Sequence, residues 1–271
     1  MARVGVVGVG RMGRPMVDRL LAAGHSVSAF ARRPELVSGL AAVGVRCVPT
    51  PPALGPGQAV VLVCAYTDAQ VVEIALDGGL VDSLDPGSVL VVHTTGRPAT
   101  VLEIEPVAAA RRAAVLDAPV SGTPEDVAAG RLTLLVGGDP DAVAAARPVM
   151  AAYADPIVEA GPLGAGQQLK LVNNLILGAH VELLADAARV AEELGIDPRV
   201  LVAALPHCTG SSVAAEMMVP LGSAADLVAS TGPFLGKDIE TAGMVAAADG
   251  IDLGWLGLLG AALVDRIGRR G

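Results

Sequence analysis

Residues 3–16 read RVGVVGVGRMGRPM, and the parsing of this stretch decides the fold. RVGVV is a compact β-rich run, and from Arg11 onward the apolar residues take up helical spacing. Between the two, Gly8, Gly10 and Gly13 stand as GxGxxG. Gly8 permits a tight turn, Gly10 lets backbone approach a pyrophosphate, and Gly13 lets helix and strand pack closely. The amides that open the helix then face the phosphates. A bare GxGxxG is weak evidence. A strand before it and a helix after it make it a dinucleotide loop rather than an accidental glycine turn, with Arg11 and Met12 inside the loop and Met12 packing locally.

Moving outward, short β-rich runs recur at 26–30, 59–65, 88–94, 114–118 and 132–138, with helical spacing at 11–23, 67–76, 98–112 and 139–152. Such alternation implies βαβ units around a parallel sheet. After 159–166 the strands stop. One long helix is expected from Gln167 to about Gly195, then only shorter helices. Its apolar residues at 169, 172, 176, 179, 183, 187, 190 and 194 follow a three-four spacing, and others at 171, 175 and 177 make it read as central and well buried. Gly161, Gly164 and Gly166 read as a flexible lead-in. The expected organisation is an α/β Rossmann domain over 1–162 and, over 163–271, the long interdomain helix with an all-α domain.

The chain has 271 residues, 52% hydrophobic but only 2% aromatic, so Ala, Val, Leu and Gly must fill its core. A formal charge of -9 argues against nucleic acid, which requires clustered Lys and Arg. Cys47, Cys64 and Cys208 are widely spaced, which suits a reducing cytoplasm better than a disulfide framework or zinc site. No metal-ligand cluster is apparent. The N-terminal apolar run is broken by glycines and arginines, unlike a secretory signal. The apolar stretch at 253–264 falls short of the roughly 20 residues of a membrane helix. The reading is a soluble, cytoplasmic protein.

An NAD site usually carries a carboxylate at the end of the second strand, about 20 residues past the glycines. Here the sequence is AFARRPE, with Arg32 and Arg33 at that place. Arginines there pair with a 2′-phosphate, which favours NADP(H) over NAD(H); two solvated loop arginines are the plainer reading.

Lys170 falls in the first turns of the long helix, where the positive end of the macrodipole and partial burial both lower its proton affinity. Such an amine serves as a general acid or base. Asn174 lies four residues on, along the same face. Alone, a lysine there reads better as snorkelling from the helix end; beside a dinucleotide loop, catalysis explains it better. The segment DAPVSGTPED (117–126) bends at Ser121-Gly122, where amides and a hydroxyl can hold a carboxylate. An ordinary strand-to-helix turn capped by Thr123 or Ser121 reads equally well.

Four segments in this order, GVGRMG (8–13), DAPVSG (117–122), GPLGAGQQLKLVNN (161–174) and GKDIETA (236–242), resemble the β-hydroxyacid dehydrogenase family, which includes 3-hydroxyisobutyrate dehydrogenase and tartronate semialdehyde reductase. The resemblance spans essentially the whole chain. It implies a Rossmann domain joined by a long helix to a helical domain, with the active site in the cleft between them. It implies Lys170 as catalytic acid or base assisted by Asn174, and Ser121 and Gly122 on the substrate carboxylate. Lys237 is implied near the cofactor or substrate, with Asp238 beside it structural. Several positions depart from the family pattern. Thr123 stands where a second glycine is common and would narrow the carboxylate pocket. Ala65-Tyr66 replaces Leu-Pro beside the adenine ribose. VHTTGRP replaces an Asp-x-Ser-Thr segment, with Thr95 still expected near the nicotinamide. His93 is read as making a structural hydrogen bond. His180 is read as a satisfied core residue, and Trp255 as core or subunit contact.

The expected activity is the NAD(P)-dependent interconversion of a small β-hydroxy acid and its semialdehyde or keto form, by a homodimer or homotetramer. The alternatives are an imine reductase on the same scaffold, or a dinucleotide-binding protein without turnover. A decarboxylating sugar-phosphate dehydrogenase fits less well, since the helical part is short and offers few basic residues for a phosphate.

Overall fold

Strands β1 (Arg3–Val7), β2 (Ser26–Phe30) and β3 (Arg46–Val48) open the chain. There follow β4 (Val60–Val63), β5 (Val89–Val92), β6 (Ala114–Asp117), β7 (Val120–Ser121), β8 (Leu132–Gly137) and β9 (Ala154–Gly161). In the computed structural model, which describes residues 1–269, they form one sheet in the order β3-β2-β1-β4-β5-β6-β8-β7, with β9 on β8. From β3 to β6 every pairing is parallel, whereas β8 runs antiparallel to β6 and β7. The order 3-2-1-4-5-6 reverses between β1 and β4, and ligands of such sheets bind beyond the strand carboxyl ends at that reversal.

The strands are β-branched on both sides, and that makes a two-faced core. In β4 and β5, Val60, Leu62, Val89 and Val91 belong to one buried cluster, while Val61, Val63, Leu90 and Val92 belong to the other. Helices α1 (Gly13–Ala22), α2 (Pro34–Ala41), α3 (Asp68–Val72), α4 (Pro98–Ala110), α5 (Pro124–Ala129) and α6 (Pro140–Met150) complete this unit, α3 passing into a π-helical turn over Glu73–Asp77. Met16 and Leu20 of α1 fill the first face, and Val101 and Ile104 of α4 the second. The sequence reading gave no bounds for β3, β7, β9, α2 or α5, all short or exposed along much of their length, although it took Cys47 for a strand residue and allowed a helix after Thr123.

The remaining helices are α7 (Ala165–Glu193), α8 (Pro198–Ala204), α9 (Val213–Leu221), α10 (Ala224–Asp249) and α11 (Gly254–Gly268). At 26 residues α10 nearly matches the 29 of α7. The chain divides into compact units Met1–Lys170 and Leu171–Gly271, so α7 begins in one and continues in the other. Among the described residues, no single helix is long and apolar enough to cross a membrane.

Three expectations change. Most of the three-four stripe faces outward: Leu169, Val172, Ile176, Leu183 and Val190, and Leu194 just past the end of α7, are exposed, Ala179 is buried, and Leu171, Leu175, Val181 and Leu184 join the helical core. Apolar residues line both sides of this helix, and spacing alone does not say which side is covered. His180 is only half-buried rather than a core residue; Trp255, read as core or subunit contact, is 79% exposed, which removes the first of its two readings. The glycines before α7 serve contact more than flexibility. A Cβ on Gly166, inside the helix, would lie 2.2 Å from the Leu135 carbonyl oxygen, so glycine is what lets the first turn of α7 sit on β8.

Candidate active site

The glycine loop follows β1 directly. Gly8 has φ +91°, and a Cβ there would fall 2.0 Å from the Cys64 carbonyl; one on Gly13 would meet the Gly8 carbonyl at 2.0 Å. Both are therefore fixed by the protein's own packing. At Gly10 a Cβ would meet nothing within 4 Å, so its approachable backbone faces open space rather than a neighbour. No side chain caps the α1 N-terminus; the Arg14 amide pairs with the Gly10 carbonyl at 2.9 Å, and the amides ahead of it are the ones suited to an anion. The loop thus fits a pyrophosphate. Exposed Arg32 follows β2, and Arg33 is the N-cap residue of α2.

The loops at the carboxyl ends of β4, β5 and β6 are laced together. The Thr94 hydroxyl accepts the Ala65 N–H at 2.9 Å and donates to the Ala65 carbonyl at 3.0 Å. Asp68 accepts from the Thr100 hydroxyl at 2.7 Å and from the Arg97 amide. His93 Nδ1 meets the Ala118 carbonyl at 2.7 Å, and its Nε2 meets the Tyr153 hydroxyl at 2.9 Å. Nδ1 therefore carries the proton and Nε2 accepts from the tyrosine. Burial lowers the His93 pKa to about 4, against a smaller opposing effect of the Ala118 hydrogen bond. The structural reading of this histidine holds.

The start of α7 is pinned to these loops. Asp117, at the end of β6 and fully buried, accepts the Gly164 and Gln167 amides at 2.7 Å each. Burial pushes its carboxyl above the usual range, opposed by those two amides and by those of Asp117 itself and Gly166. The Gln167 side chain accepts from the Gly96 amide at 2.9 Å and donates to the Thr94 carbonyl at 2.8 Å. Lys170 follows one turn later and is 8% exposed. Asp68, Asp117 and Gln167 went unrecognised in the sequence. Their signals, an acid at a helix start, an acid at a strand end and a glutamine beside a glycine-rich turn, are too common to single out.

Ser121 ends β7, and Gly122 has φ +137° with Asp126 and Leu132 only 3.1 Å from any added Cβ. Thr123 is the N-cap of α5 in a capping box with Asp126, so the capping alternative is the one its side chain adopts. In the helical unit, buried Asn174 donates to Asp238 Oδ2 at 2.6 Å, and Asp238 Oδ1 lies 2.7 Å from Lys237 Nζ. Asp238 thus orients Asn174, a structural part like that expected of it.

Residues 3–161 match the model described as the NAD binding domain of 6-phosphogluconate dehydrogenase. Residues 164–263 match that described as NAD-binding of NADP-dependent 3-hydroxyisobutyrate dehydrogenase. The chain belongs to the β-hydroxyacid dehydrogenase family. Among relatives, 3-hydroxyisobutyrate dehydrogenase of Pseudomonas aeruginosa is 34% identical over 81% of this chain and 74% of its own length. L-threonate dehydrogenase of Cupriavidus necator is 34% identical over 80% and 74%. The solved Mycobacterium tuberculosis 3-hydroxyisobutyrate dehydrogenase with L-serine superposes with a TM-score of 0.86 at 29% identity, covering 100% of this chain and 94% of that one. For this member of the family, a nicotinamide dinucleotide is accordingly the cofactor class.

Proposed function

We propose that this chain interconverts a small β-hydroxy acid and its semialdehyde or keto form, with Lys170 as general acid/base and NADP(H) preferred over NAD(H). The observation that carries the reading is the buried Lys170 on a helix start that Asp117 and Gln167 hold beside the strand ends of a dinucleotide-binding sheet. The cofactor, held by Gly8, Gly10, Arg11, Met12, Gly13, Ala65 and Thr95, with Lys237 as a further contact, supplies the hydride exchange. During reduction Lys170 gives a proton to the oxygen of the reacting carbonyl, and during oxidation it takes one from the hydroxyl. Asn174 hydrogen-bonds the same oxygen. Ser121 and Gly122, with Thr123 bordering them, hold the carboxylate, fixing the angle at which the reacting carbon is presented.

The panel that tests this is 3-hydroxyisobutyrate, L-serine, L-threonate and a cyclic imine, each with both cofactors. Lys170→Ala is expected to lower kcat by roughly 100-fold or more with cofactor affinity retained. Unchanged turnover in that variant refutes the assignment. A homodimer or homotetramer belongs to the same proposal, supported by the outward apolar stripe of α7. A reducing, cytoplasmic setting is supported by free Cys47, Cys64 and Cys208.

A further inference from the structure

The turn Thr94–Gly96 carries Thr95 away from β5, and three sets of contacts hold it, two of them from side chains of other segments. The Thr94 hydroxyl is tied to Ala65, as described. Asp68 occupies the space beside Gly96, where an added Cβ would fall 2.0 Å from its Oδ1. The third holder is Gln167, 1% exposed, whose carboxamide spans the turn by accepting from Gly96 and donating to Thr94. A planar group with an acceptor at one corner and a donor at the other is needed for both contacts. Neither a carboxylate nor an aliphatic chain of the same length makes both. Gln167 is also three residues before Lys170, so the two side chains rise from one face of α7, with Cβ atoms about 5–6 Å apart by helix geometry.

We propose that Gln167 is a positioning residue for the reaction: its carboxamide fixes the distance between the turn bearing Thr95 and the helical turn bearing Lys170. The inference rests on the proposed function and adds to it. Without the clasp, the Gly96 amide and Thr94 carbonyl lose their partners and the turn shifts to find others. A displacement on the order of 1 Å between reacting groups costs roughly 100-fold in rate.

The test compares wild type, Lys170→Ala, Gln167→Met and Gln167→Glu, using the best substrate of the panel. Gln167→Met keeps the length and removes both hydrogen bonds. It is expected to lower kcat roughly 30-fold with the NADPH Kd within about threefold, and to raise the deuterium isotope effect from C4-deuterated NADPH. Gln167→Glu gives the discriminating readout. As a carboxylate it meets the Thr94 carbonyl with no donor, whereas as a carboxylic acid it restores the O–H. Asp117 on one side and Asp68 across Gly96 both disfavour its charge, as burial does; Lys170 favours it; Arg97 lies 3.9 Å from Asp68 and offsets that acid; and His93, one residue before the turn, stays neutral above its lowered pKa. Its kcat is therefore expected to recover as pH falls below neutrality, relative to wild type at each pH.

A wild-type pH profile in Gln167→Glu, or kcat in both variants within twofold of wild type, overturns the inference while leaving Lys170 intact. Loss of rate that only tracks the folded fraction also overturns it. A wild type without turnover, or an unaffected Lys170→Ala, removes the proposed function first and this inference with it.

Discussion

Arg32 and Arg33 stand where β2 ends and α2 begins, at a position where a carboxylate would repel a 2′-phosphate. A guanidinium binds phosphate through charge-assisted, often bidentate bonds, typically 1.5–3 kcal/mol each. Replacing both by Ser is expected to raise the NADPH Kd by at least about tenfold while the NADH Kd moves less than about twofold, as read by quenching or energy-transfer titration. Equal weakening for both cofactors would assign the arginines to general electrostatics. These residues were legible because the strand, the loop and the arginines are adjacent in sequence. Thr123 was legible only as a choice between substrate contact and helix cap, and its pairing with Asp126 three residues on shows why: the same hydroxyl suits both.

At the scale of the element, α7 begins with amides that have no partner within the helix. Asp117 takes two of them in a buried setting, where an unpaired donor is costly. Asp117→Ala removes both contacts and is expected to lower stability by about 3 kcal/mol, seen as a lower urea midpoint with unchanged slope. Asp117→Asn keeps one acceptor oxygen and should fall between. A midpoint indistinguishable from wild type in the alanine variant would show that water satisfies the helix start instead. This cap has a chemical consequence, since the turn it fixes bears Gln167 and precedes Lys170. The glycine at 166 belongs to the same device, because only its missing side chain lets the helix start lie against Leu135.

At the scale of the whole molecule, buried titratable groups make stability depend on pH. The folded His93 pKa of about 4 is below the ordinary value of 6.5. Below pH 6.5 the unfolded chain takes a proton that the folded chain refuses, so stability is lost as pH falls from 6.5 towards 4. It is unaffected by this group above that window. The full loss is about 3 kcal/mol. Asp117 acts oppositely: its raised folded pKa means that acidification protonates the folded state first and favours it. His93→Gln isolates the first effect. The stability difference between wild type and this variant, from denaturant unfolding, is expected to change between pH 6.5 and 5 and to stay flat from 6.5 to 8. A flat difference throughout would mean that His93 titrates alike in the folded and unfolded chains.

What the sequence alone determined is whatever short-range sterics and periodicity dictate. The glycine loop, the β-branched strands of the parallel sheet, the arginines after β2 and the existence of a long helix are each written within a dozen or so neighbouring residues. The tertiary structure decided where buried polar groups find partners. Asp117 caps a helix start 47 residues away, and Gln167 clasps Gly96 across 71 residues. It also decided which apolar side of α7 is covered. The physical reason is that a hydrogen bond or a packed face is completed by a second segment, and which segment arrives there depends on the path of the whole sheet.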